Sequence, residues 1–293
     1  MNKLTLRITI TVFLFALTTG FLSGMLYAMD WPSRDAVLIR NFGWNDRGRP
    51  VLGMIFDGDG EVLAAETGEV IFSRGANDTA SRLPSPLGTW TALDHGDGLI
   101  SIYSRYGDEN ILSAQVEKQS PIAVTGISGW SGRKGFYFIL YDRRERRWIN
   151  PAMIITPVQN TRPPQILAVD LRNAQGLPVT TAQLRNLSQG RYTVCVATTN
   201  AARVRENLLA PYRIVCSING AEAASLNFEA ISARDGVLMV YRNGLVPVKQ
   251  VYANFPAFEA AEVFLNRGQA SLEIIVQDIA GNSRNSLTRM IIN

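Results

Sequence analysis

With 293 residues, 46% hydrophobic and 18% charged, the chain has the composition of a globular protein long enough for two cores, which excludes a wholly disordered or low-complexity chain. A formal net charge of +4, spread along that length, is too small and too diffuse to indicate a nucleic-acid-binding protein, and no nucleic-acid partner is expected. One histidine in the whole chain rules out a metal site built from two imidazoles, and both cysteines lie in the C-terminal half.

The first element is an uncharged apolar run, "ITITVFLFALTTGFLSGMLYAM", from Ile8 to Met29, preceded by Lys3 and Arg7. A charged flank followed by an apolar stretch is the pattern of a secretory signal, and the run is also long enough to span a bilayer. Residues 1–29 are therefore expected to be a signal peptide or an inner-membrane anchor through residues 8–29. With the positive residues ahead of the span, the remainder is placed in the periplasm or cell envelope. No cysteine follows the run, which excludes a lipid-modified one.

Beyond it the chain reads as short strands. "VLGMIF", "EVLAA", "EVIFS", "WTALDH", "LISIYS", "PIAVTG" and "GFYFILYD" are β-branched or aromatic and are separated by Gly, Asp, Asn and Pro. They predict an antiparallel, barrel-like or sandwiched sheet over residues 31–157. "DGDGE", with Asp57, Asp59 and Glu61, lacks the rest of a calcium loop and reads as a solvated hairpin. Asp94, Gly96, Asp97 and Gly98 around His95 are turn formers, so His95 reads as a turn residue without a partner base. "YDRRERRWINP" places Arg143, Arg144, Arg146 and Arg147 in a charged hairpin, open to an anionic polymer but expected to be a solvated turn. No nucleophile elbow or paired-carboxylate pattern occurs.

"TPVQNTRPPQ" marks a linker at 158–165. From 166 to 293, "QILAVDLRN", "GRYTVCVATTN", "YRIVCSING", "SLNFEAIS", "VLMVYRN", "KQVYANF", "AEVFLNRGQASLEIIVQD" and "LTRMIIN" predict seven or eight strands, the count of an immunoglobulin-like β-sandwich. "DIAGN", Asp278 to Asn282, is read as the turn between the last two strands and resembles the close of many bacterial Ig-like domains. Cys195 and Cys216 sit in two of these stretches; their spacing is compatible with a disulfide and equally with two buried thiols. The fold class is all-β.

Five segments between Phe42 and Pro151 carry a family resemblance: "VLGMI", "EVLAAETGEVIF", "LDHGDGLISIYSRY", "VEKQSPIAVTGISGWSGRKGFYFIL" and "INP". In this order and spacing they resemble the LytM or lysostaphin-type zinc endopeptidases, which cleave the peptide cross-links of peptidoglycan. In that family zinc is held by the ends of H-x-G-x-D and by the second His of H-x-H. The resemblance puts those places on Val51, Ile55 and Tyr137. The remaining catalytic histidines fall on Gly135 and Arg105. None of the five keeps the family residue, so no catalytic group, no metal site and no cofactor is expected, although zinc is the family's metal.

Trp44 and Trp130 stand in loops that border the substrate groove of the resembling family, and with Arg105 and Tyr137 they are candidate binding residues. The resemblance implies an exported, non-catalytic LytM-like protein that binds peptidoglycan or regulates a cell-wall hydrolase such as an amidase. Two alternatives remain open at this stage: an active zinc endopeptidase using an unusual set such as Asp94, His95 and Asp97, and a structural envelope protein without wall contact.

Overall fold

The computed structural model describes residues 29–75, 84–107, 113–157, 162–180, 182–201 and 208–293. The N-terminal run up to residue 28, and residues 158–161 of the expected linker, lie outside the described residues. Among the described residues no helix is long and apolar enough to cross a membrane.

Each apolar run expected as a strand in the first half contains one. The central sheet orders Gln115–Val116, Gly68–Arg74, Thr89–Asp94, Leu99–Tyr106 and Gly135–Asp142 side by side. The far edge of Gly135–Asp142 is shared: Met54–Asp57 pairs with its first half and Arg147–Ile149 with its second. Val37–Arg40 then pairs with Met54–Asp57. Turn chemistry explains the sharp reversals. At Asp94–Leu99 the Gly96 N–H donates to Asp94 Oδ1 at 2.9 Å, while Asp97 and the two glycines take positive φ.

"GFYFILY" is apolar throughout because it is buried on both faces. Phe136, Phe138 and Leu140 face a core with Met54, Phe56, Leu93, Tyr103 and Ile122. Tyr137 and Ile139 face the other way, into a small cluster with Val51.

The C-terminal half is a two-layer sandwich. One layer holds Gln165–Arg172, Gly190–Ala201 and Phe258–Leu265; the other holds Ser283–Ile292, Gly268–Gln277, Arg213–Ile218, Ala221–Arg234 and Val237–Arg242. Val194 and Val196 of the first meet Ile214, Leu226, Phe228, Leu272 and Ile274 of the second in one core. The expected Asp278 turn is present, with Asp278 buried and its Oδ1 accepting the Asn282 N–H at 2.8 Å. One expectation is corrected: "KQVYANF" is not a strand. Residues Val248–Tyr252 form a short helix after an extended Pro247, and the buried Val248, Val251 and Tyr252 stand at i, i+3 and i+4. That helical spacing outweighs the strand propensity of Val and Tyr.

Cys195 and Cys216 are both buried free thiols in different clusters. Burial pushes them up to about 11 and about 12 respectively, so neither is a ready nucleophile at neutral pH.

The two halves are built into one another. Arg147–Ile149 pairs with Ala221–Arg234, which makes the central sheet continuous across both. Phe42 is fully buried in the C-terminal core, with Trp44, Leu52 and Trp148 packed against it. Polar groups along this seam are largely matched, the buried Ser232 Oγ excepted: Asn41 exchanges two hydrogen bonds with Ala210, Asn150 Nδ2 donates to Phe228 O at 2.9 Å, and Tyr252 Oη donates to Gly43 O at 2.8 Å. A seam with most of its buried polar groups paired behaves as core, because opening it would leave each group to be resolvated.

Candidate functional site

Strand register lines up a row of side chains across the sheet: Arg40 lies opposite Ile55, Ile55 opposite Tyr137, and Tyr137 opposite Ser104. Directly opposed residues of an antiparallel pair project to one face. That face is the one turned away from the Phe56–Phe136–Phe138 core. Val51 closes it from the side, buried and packed with Tyr137 and Ile139 beside Ile55, Ile102 and Trp44.

The three positions expected to correspond to metal ligands, Val51, Ile55 and Tyr137, thus meet in one place. They meet as hydrocarbon and phenol. The Tyr137 hydroxyl accepts the Leu52 N–H at 2.8 Å, and burial pushes its pKa up to about 12, so it is neutral at any physiological pH. Two aliphatic side chains and a neutral phenol offer a divalent cation no anionic or imidazole donor. Among the described residues no group of three or more His, Cys, Asp or Glu is placed to hold a metal ion.

Gly135 lies two residues along the strand from Tyr137, and a Cβ built on it would stand 2.0 Å from Phe56 O. No side chain fits there without moving the neighbouring strand.

Arg105 is placed by a β-bulge. Thr89 pairs with Tyr106 and Trp90 with Ser104, which leaves Arg105 unopposed, at φ +64°, with its N–H donated to Leu87 O at 2.8 Å. A bulge re-aims the side chain it carries. Here it sends the guanidinium over the ring of Tyr137, with Cζ 5.0 Å from the ring centroid.

Of the two tryptophans, Trp44 is half-buried with the Arg40 guanidinium 5.0 Å from its ring, so it is both a core-anchoring and a groove residue. Trp130 is 75% exposed, and its N–H donates to Pro86 O at 3.1 Å. Arg40 was not foreseen as a site residue. Burial lowers its pKa first, the charge of Arg133 lowers it further, and the nearby Asp46 opposes both.

The remaining candidates resolve as structural. Asp94 pairs with Arg143 at 3.4 Å, Asp97 with Arg144 at 3.0 Å and Asp142 with Arg147 at 3.6 Å, so the arginine hairpin is largely tied to neighbouring turns. In "DGDGE", Asp59 pairs with Lys134, and Asp57 lies 3.9 Å from Arg133.

His95 is fully used. Its Nδ1 lies 2.8 Å from Thr67 O, which can only accept, so Nδ1 carries the proton; Nε2 then accepts from Ser101 Oγ at 2.7 Å. Burial is the largest influence and lowers its pKa, against the opposing carbonyl and nearby acids. A depressed folded value means that the unfolded chain protonates first as pH falls. The stability His95 contributes is therefore complete above about pH 6.5 and is lost as pH falls from there toward the lower folded value. Because the chain has one histidine, its imidazole proton resonance titrates alone. A midpoint below about 6.5 is expected, and one at or above it would contradict this account.

A protein-family model matches residues 163–293, the C-terminal sandwich. No curated protein matches the chain. Solved structures similar to it include a chain of the SpoIIQ–SpoIIIAH pore-forming complex, with 17% identity, 45% of this chain and 94% of that chain covered, and a TM-score of 0.36. A peptidase M23 from Pseudomonas aeruginosa is similar at 19% identity, with 45% of this chain and 52% of that chain covered and a TM-score of 0.35; the present chain thus spans about half of it. The catalytic domain of the prophage-encoded M23 protein EnpA from Enterococcus faecalis is similar at 18% identity, with 43% and 95% covered and a TM-score of 0.35.

Proposed function

We propose that this chain is an exported, non-catalytic LytM-like envelope protein that binds peptidoglycan or regulates a cell-wall hydrolase, with its C-terminal sandwich acting as an Ig-like docking module. The observation that carries the reading is the cluster of Val51, Ile55 and Tyr137. A resemblance that was accidental would have no reason to set Tyr137 directly opposite Ile55 and against Val51, two segments far apart in sequence. Their convergence supports the alignment, and the side chains found there support loss of the metal. Apolar residues pack a site that would otherwise need hydrated polar groups.

Export rests on the Ile8–Met29 run behind Lys3 and Arg7. Binding rests on the groove face, which keeps Trp44, Tyr137 and Arg105 around an apolar floor. Against an active enzyme built on Asp94, His95 and Asp97 stands their present use, since both acids pair with arginines and both ring nitrogens of His95 are hydrogen-bonded.

The test is made on the full chain in detergent: zinc content by elemental analysis, hydrolysis of purified peptidoglycan with and without added zinc, and retention on isolated peptidoglycan. Retention without zinc and without cleavage is the expected result. If the chain is not retained, stimulation of a purified cell-wall amidase is the remaining arm of the reading. One zinc per chain with product release would overturn it, and so would absence of both retention and stimulation.

A further inference from the structure

Arg105 is the one feature of the groove that packing does not account for. Its Nε is buried with no hydrogen-bond partner, and no carboxylate lies within ion-pair distance of its guanidinium among the described residues. Arg143, Arg144 and Arg147, by contrast, each reach an acid. A buried donor without an acceptor costs free energy; other buried polar atoms of the chain, Arg172 Nε among them, share that state, but Arg105 alone of them also stacks on the ring of Tyr137.

The group is also held in place. A bulge at φ +64° fixes its backbone, and the ring beneath it is fixed in turn by the Leu52 N–H on the Tyr137 hydroxyl. A guanidinium locked over an aromatic face has a fixed fork, which is the geometry that takes a carboxylate through two parallel hydrogen bonds. Arg40, opposite Ile55 in the register, adds a second cation to the same face, and Ile55, Ile102 and Tyr137 give it an apolar floor.

We propose that Arg105, seated on Tyr137, is the anchor of a carboxylate-binding site that takes the carboxylate of a short peptide whose small apolar side chain rests on Ile55 and Ile102. The site rests on the reading of the groove as a non-catalytic binding surface and gives that surface its ligand chemistry: a fixed guanidinium presents positive charge at the place where the resembling enzymes hold a metal cation. The peptide's own terminal carboxylate and an acidic side chain share this chemistry.

Three probes separate the sources in ligand-observed NMR titrations of the full chain in detergent: N-acetyl-Ala-Ala with a free carboxylate, its C-terminal amide, and N-acetyl-Ala-Glu amide. At least one carboxylate-bearing peptide is expected to bind about tenfold or more tighter than the Ala-Ala amide, since charge-assisted bidentate bonds carry differences of that size. Whichever carboxylate peptide binds tighter names the source. Arg105→Gln is expected to erase the difference between acid and amide while leaving the melting temperature near that of the parent, and Arg105→Lys to restore it only in part because the fork is lost.

Equal affinity of the parent protein for acids and amide, or no binding of any of them at millimolar concentration, overturns the proposal without requiring any variant to fold. Zinc content measured on the same preparation keeps the two failures apart. Stoichiometric zinc with peptidoglycan cleavage would remove the reading beneath the site. Zinc-free protein with equal affinities would remove the carboxylate site alone.

Discussion

Phe228→Ala is expected to destabilise the whole chain by about 3–5 kcal/mol, the usual cost of emptying a fully buried aromatic position. Phe228 is completely buried, its ring lies 5.0 Å from that of Phe258, and its carbonyl accepts the Asn150 side chain across the seam. It stands where the pairing of Ala221–Arg234 with Val237–Arg242 shifts register and where its other neighbour changes from Arg213–Ile218 to Arg147–Ile149. Loss of the ring therefore loosens the C-terminal core and the strand junction together. For a chain of this size the melting temperature should fall on the order of 10 °C. Calorimetry should show one transition in parent and variant alike, because Phe42 and Trp44 of the first half are packed into the core of the second. Two separated transitions, with the first-half melting unmoved, would refute the shared-core description. Gly43 supplies an independent check. A Cβ there would stand 2.6 Å from Phe228 Cδ1, and its φ is +79°. Gly43→Ala should be strongly destabilising alone and less so on the Phe228→Ala background, where the ring contacts are gone and a 3.3 Å approach to the Cβ of residue 228 and the backbone strain remain.

The strands of both halves were legible in the sequence because their signals are local: a β-branched run, then Gly, Asp or Asn in a turn that needs positive φ. "DHGDG" and "DIAGN" fold as they read, since each turn is closed by its own aspartate. The Val248–Tyr252 helix was missed for a related reason. Five residues are too few for propensity to decide, and burial of Val251 and Tyr252 in the sandwich core settles it. The seam was illegible from residues alone. Phe42 and Trp44 lie among Asn, Gly and Asp, and the hydrogen-bond partners of the neighbouring Asn41 and Asn45, at Ala210, Tyr252 and Ala257, are far along the chain.

The site divides in the same way. Val51, Ile55 and Tyr137 could be named because an ordered set of motifs indexes them, although their convergence is a matter of register. Arg40 could not be named. It reaches the groove opposite Ile55 only because the pairing slips between Leu38 and Arg40, and a bulge is set by two strands at once. Arg105 was named by motif, yet its orientation over Tyr137 depends on a second bulge that no local pattern announces.

Installing Val51→His, Ile55→Asp and Tyr137→His together is expected to create a zinc site without creating an enzyme. Ile55 and Tyr137 are directly opposed, so their Cβ atoms are about 4.5–5.5 Å apart, a separation from which two side chains can reach one ion. Val51 already packs against both. Without metal the triple variant should be less stable than the parent: an aspartate enters an apolar cluster, and the Leu52 N–H loses the hydroxyl that accepts it, the second effect alone costing about 1–3 kcal/mol. Zinc should reverse this loss and raise the melting temperature in a concentration-dependent way, because a ligand that binds only the folded chain stabilises it by mass action. Arg105 opposes the metal with its own charge 5.0 Å from the ring of residue 137, so adding Arg105→His should tighten zinc binding further. Hydrolysis of peptidoglycan by the variant is not expected, because position 135 has no space for a side chain and the imidazole that the resemblance puts there cannot be restored by substitution. Elemental analysis and a peptidoglycan hydrolysis assay decide the matter. A triple variant that holds no zinc would mean that the three positions do not form a ligand set. A variant that cleaves would mean that a side chain at position 135 is not required for hydrolysis.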